Sequence, residues 1–102
     1  MKPYEQGFKA GTDAVQSKSE ATIRLDADPY NDQQRRALVD GIIDAVAEAG
    51  RTIKGIRVET STFLALDIKK DRANSGVYRG AIVVEAMLDG FGSPIEVVVN
   101  AV

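Results

Sequence analysis

The chain has 102 residues, 44% hydrophobic and 27% charged, with a formal net charge of −2. That balance is of a globular domain and excludes a disordered or collagen-like polymer, and the acidic net charge disfavours a general nucleic-acid binder. Neither cysteine nor histidine occurs, which excludes disulfide frameworks, thiol nucleophiles, Ser-His-Asp machinery and imidazole or thiolate metal sites.

The first element is a helix over about residues 3–17, with Tyr4, Phe8 and Val15 as its bulky residues. Gly7 and Gly11 sit inside it, each costing a helix about 1 kcal/mol relative to alanine. With Ala14 they fall at i, i+4 and i+7, a smooth groove that lets another backbone approach closely. The groove receives either this chain's second helix or sheet, or a second subunit. "GFKAGT" at 7–12 is not a phosphate loop, because only three residues separate its glycines and no strand precedes it.

"ATIRLDA" at 21–27 alternates apolar and polar residues and reads as a half-buried strand. A second helix follows, capped either by Asp28 with Pro29 at its first position or by Asn31 with Gln34 three residues on. Leu38, Ile42, Ala45 and Ala49, flanked by Val39 and Val46, form its apolar stripe, and Gly50 stands where a left-handed terminal residue belongs. Asp40, Asp44 and Glu48 recur at i, i+4 and i+8 on the other face, with Arg36 placed to pair with Asp40. Such a stripe is a solvated face, a partner-facing acidic surface or, with further oxygen ligands, a hard-cation site. No metal or cofactor is expected. Asp26, Asp28 and Asp32 gather where the strand meets the helix and suit its N-terminus electrostatically.

Three long strands are expected next: "IRVETSTFLALDIKK" (56–70), "VYRGAIVVEAML" (77–88) and "IEVVVNAV" (95–102), joined by the turn clusters "DRANSG" and "DGFGSP". Lys69, Lys70 and Arg72 then crown a hairpin tip. The fold class is α+β: a single two-layer domain over residues 1–102, with a mainly antiparallel four-stranded sheet and two helices in the order α-β-α-β-β-β. Strands one and two become parallel if the helix crosses over between them.

Arg57 and Arg79, with Phe63 and Tyr78, compose a mixed aromatic and basic surface of the kind found in protein contacts. Candidate binding residues are therefore Asp40, Asp44, Glu48, Arg57, Phe63 and Arg79. Phe63, Val83, Met87 and Val98 place apolar groups on the nominally outer sheet face, and the last strand carries no proline or lysine to blunt an edge. They are the candidates for self-association as a homodimer.

"YEQGFKAG", "DPY" at 28–30, Arg36, Gly41 and Ala45 resemble the ribosome modulation factors and their phage-encoded relatives. Those carry a Y-x-x-G-x-x-A-G helix, a Pro-Tyr, and an arginine before a Trp-x-x-Gly-Trp helix. The resemblance covers about the first 45 residues and implies ribosome binding. It lacks the tryptophans and the basic charge, and its spacer holds a predicted strand.

The opening segment has no signal-peptide core and no apolar run approaches the ~18 residues of a membrane span, so the expected location is cytoplasmic. The expected function is that of a small non-enzymatic binding protein acting through macromolecular contact, an inhibitor, adaptor or accessory factor of bacterial or phage type. The alternatives are a nucleic-acid- or ribosome-associated factor and a nucleotide-binding oligomer.

Overall fold

The computed structural model describes residues 2–68, 70–72, 74–88 and 92–102. Its first helix, α1 (Pro3–Ala14), opens with proline at its start, where the missing N–H costs nothing. The strand β1 (Ala21–Leu25) and the helix α2 (Asp32–Glu48) follow. Asn31 caps α2, its side chain accepting from the Gln34 N–H at 2.9 Å, while Asp28 instead accepts from the Tyr30 N–H in the preceding turn. At the other end Gly50, at φ 73°, completes a Schellman closure: its N–H reaches the Ala47 carbonyl and that of Arg51 the Val46 carbonyl.

The two glycines of α1 face α2. A Cβ on Gly11 would lie 2.8 Å from that of Ala45, and one on Gly41 would lie 2.7 Å from the Phe8 nitrogen. Three glycines thus let the two helices touch backbone to backbone. The groove that the sequence left open to either partner is filled within the chain.

The strand expected over 56–70 is corrected. β2 (Ile53–Val58) ends early, Glu59 leads in a short helix α3 (Thr60–Ala65), and a three-residue β3 (Lys70–Arg72) follows. Thr62, Phe63, Ala65 and Leu66 bury together while Leu64 is exposed, which is helical spacing and not alternation. The strand expected over 77–88 is also corrected, into β4 (Ser75–Tyr78) and β5 (Ala81–Glu85). Arg79 at φ 50° and Gly80 at φ 84° form the two-residue turn between them, closed by the Tyr78–Ala81 pair. The last strand is β6 (Ile95–Val99). Of the hairpin-tip residues, Lys69 lies outside the described residues, as do Ala73 of "DRANSG" and residues 89–91 of "DGFGSP".

The sheet order is β1-β6-β2-β5-β4-β3. β6 pairs antiparallel with both β1 and β2, β5 runs parallel to β2, and β4 runs antiparallel to β5. The fold is α+β, but the sheet is mixed and wider than four strands, with a third helix. Two consequences separate it from the expected run of consecutive turn-joined strands. β1 and β2 are parallel without touching, because β6 slots between them, and the closing strand is interior and not an edge. Its Ile95, Val97 and Val99 are fully buried against Ile56, Val58 and Val83, under Leu38, Val39, Ile42 and Val46 of α2. Among the described residues no helix is long and apolar enough to cross a membrane.

Candidate functional site

The acidic stripe of α2 is met by the β4–β5 turn. Arg79 donates to Asp40 at 3.2 Å and to Asp44 at 2.6 Å; Tyr78 donates to Asp40 at 2.7 Å, and Tyr4 of α1 to Asp44 at 2.5 Å. The Tyr4 hydrogen bond, then that of Arg79, holds the Asp44 carboxyl below its usual value. Burial, then the Asp40 carboxylate, pushes the Tyr78 phenol up to about 12. Three of the candidate binding residues, Asp40, Asp44 and Arg79, thus come together in a clasp of two carboxylates on one guanidinium that ties α1, α2 and the hairpin tip together. Glu48 is exposed one turn beyond it. Arg36 does not pair with Asp40; it donates to the Ala65 carbonyl at 2.6 and 3.1 Å and ties α2 to the end of α3. Among the described residues no three carboxylates are placed to hold a metal ion.

Arg35, one turn into α2, is 1% exposed. Its guanidinium reaches the Asp28 carbonyl at 2.8 Å, the Asp32 carboxylate and the Ser61 carbonyl, while its Nε finds no partner among the described residues. Beside it the hydroxyls of Ser61 and Thr62 each lie 3.1 Å from that of Ser93, and the Ser93 N–H donates to Ala27. This buried network joins the loop before α2, α3 and the entry to β6. The sequence carried a signal for it: Arg35 lies three residues before Leu38 and seven before Ile42, on the apolar stripe.

Arg51 is the third anchor. It donates to the carbonyls of Val15, Ser17, Ser19 and Asn100, drawing the segment after α1 and the end of β6 together. With Arg79 it borders a cleft of about 220 Å³ floored by Ile43, Val46, Ile53 and Ala81.

Among the described residues, no helix packs on the opposite side of the sheet. Cross-strand pairing arranges it in two rows. One runs Arg24, Glu96, Arg57, Val84 and Ser75 across β1, β6, β2, β5 and β4; the other runs Thr22, Val98 and Gly55, then Ile82 and Val77. Glu96 is flanked by Arg57 at 3.0 Å and Arg24 at 3.7 Å. Lys54 reaches Glu20 at 3.0 Å across β6. Ile82 and Val77 are 56% and 51% exposed.

The residues proposed from the sequence are therefore dispersed. Arg57 and Val98 lie on this open face. Phe63, 1% exposed, sits inside α3 with its ring in the core, and Val83 is buried on the inner side of β5, so neither presents a contact surface. Met87 is exposed beyond the end of β5. Arg24, Ile82 and Val77 were missed. Ile82 is the residue out of phase with buried Ala81 and Val83, a pattern that became readable only once β5 was separated from β4.

No family model, curated protein or solved structure matches the chain.

Proposed function

We propose that this is a small non-enzymatic binding protein that works by macromolecular contact through the open face of its sheet. The observation behind the reading is that face: strands β1, β6, β2, β5 and β4 are roofed by helices on one side only. The uncovered side places Val98, Ile82 and Val77 in one row with paired charges beside them. Apolar residues held on a rigid sheet and flanked by polar groups have the anatomy of a protein interface, an apolar centre with a polar rim. The residue inventory supports the absence of catalysis: acid–base or nucleophilic chemistry would have to come without histidine or cysteine. The two aspartates most suggestive of a site, Asp40 and Asp44, are engaged with Arg79 and two tyrosines.

Size fractionation of extracts from cells producing the tagged chain tests the reading. The wild type is expected in assemblies larger than one chain, and Ile82→Asp together with Val77→Asp should release it as a folded monomer. A wild-type protein found only as free monomer would overturn the reading.

A further inference from the structure

The occupant of the open sheet face follows from its charge pattern and its size. The apolar row Val98, Ile82, Val77 lies between two charged borders. Arg24, Glu96 and Arg57 stand on one side, and the Glu20–Lys54 pair on the other. Three cations against two anions leave the face nearly neutral. A polyanion such as nucleic acid finds little net charge to bind, and a strongly acidic or basic protein would leave charges of one sign without partners. A face of mixed, nearly balanced charge is compatible with itself. We infer that it is covered by a second copy of this chain, forming a two-fold sandwich of sheets; the inference rests on the contact reading above and names its partner.

A two-fold axis along the apolar row stacks that row on its own copy. It also exchanges the two borders, so that Arg24 of one copy meets Glu20 of the other, while Arg57 and Lys54, which come opposite each other, are each already paired within their own chain, to Glu96 and Glu20. Gly55, between Val98 and Ile82, then lies opposite Gly55 of the second copy, and with no Cβ on either strand the two backbones can approach there. Sheets stacked in this way sit about 10 Å apart.

The area suffices for a modest dimer. Five strands at about 4.8 Å spacing, each about five residues long at about 3.3 Å per residue, give a face of roughly 20 Å by 17 Å. Two such faces bury on the order of 1,000 Å² of accessible surface, the lower end for specific complexes. Dissociation in the micromolar range is the natural consequence.

Sedimentation equilibrium of the purified chain from micromolar to sub-millimolar concentration tests the inference, with Ile82→Arg and the helix-side variant Glu48→Arg measured alongside. The wild type and Glu48→Arg should approach twice the 11.0 kDa chain mass. Ile82→Arg, with its circular dichroism spectrum unchanged, should dissociate at least tenfold more readily. A single-chain mass at every concentration would overturn the inference, as would a dimer indifferent to Ile82→Arg. If the purified chain is monomeric while cell extracts still hold it in a face-dependent assembly, the contact reading stands and only the second copy is refuted as its partner.

Discussion

Replacing Gly7 by alanine sets two principles against each other with opposite signs. On helix propensity alone the change stabilises α1 by about 1 kcal/mol. In the folded chain, however, the added Cβ would lie 2.9 Å from the Leu38 carbonyl carbon and 3.0 Å from its Cα, closer still to the oxygen. The obstacle is the backbone of α2, which cannot rotate aside, so α1 has to back off by about 1 Å. A gap of that size forfeits roughly a quarter to a half of each contact's dispersion energy, and overpacking of this kind typically costs about 1–3 kcal/mol. Because the obstacle is backbone, the upper part of that range applies; against the helix gain of about 1 kcal/mol it leaves a net loss of about 1–2 kcal/mol, lowering Tm by roughly 5–10 °C for a domain of this length. Thermal unfolding followed by circular dichroism measures it, with Gln6→Ala on the exposed side of the same turn as reference, expected within about 0.5 kcal/mol of wild type. A Gly7→Ala protein as stable as the wild type, or more so, would refute the backbone-to-backbone crossing.

Other expectations concern the clasp and the buried guanidinium. Arg79→Gly relieves a positive-φ conformation but loses exposed ion pairs, so its stability should stay within about 1 kcal/mol of wild type; Arg79→Ala keeps the strain, loses the pairs, and should be the less stable of the two by urea denaturation. The Tyr78 phenol, raised to about 12 in the fold, stabilises the protein fully below the unfolded tyrosine value of about 10, and that contribution is lost as pH rises from there through about 12. Tyr78→Phe should remove this alkaline step from the stability profile. Asp44, held below its ordinary value by Tyr4 and Arg79, acts in the other direction: its contribution is present above the unfolded carboxyl range and lost on acidification below it, and Asp44→Asn should flatten that acid limb. Arg35→Ala strips the links to Asp28, Asp32 and Ser61 and should cost about 3 kcal/mol in a urea titration, whereas Arg35→Met, which refills the volume, should recover part of the loss.

α2 was legible because several signals agree there: an apolar stripe, a cap and a terminal glycine. The choice between Asp28 and Asn31 as cap was settled by geometry, since Asp28 spends its side chain on the Tyr30 turn. α3 was obscured because Ile56, Val58, Leu64, Leu66 and Ile68 mimic one long alternation, although Thr60 and Thr62 on the apolar side and Phe63 and Ala65 on the polar side spoke against it. The turn at Arg79 was hidden for a different reason: arginine rarely takes a positive φ, and here the clasp to Asp40 and Asp44 accompanies that conformation. Strand order was beyond reach. Val97, Val98 and Val99 are apolar on both faces, a mark of an interior strand, yet their place at the chain's end suggested an edge. The candidate site followed the same pattern. The carboxylate stripe led to the clasp through helical spacing, whereas the open face depends on β6 entering between β1 and β2, a tertiary event with no local signature.

Site-specific photo-crosslinking reads out whether the uncovered sheet face is where this protein meets its partner. A photoreactive phenylalanine analogue placed at Thr22 or Ser75, on the face, is compared with one at Gln33 or Glu48 on the helix side, all in producing cells. Discrete adducts should arise from Thr22 and Ser75 and be absent from Gln33 and Glu48. Adducts confined to the helix side, or equal yields from all four positions, would contradict the account.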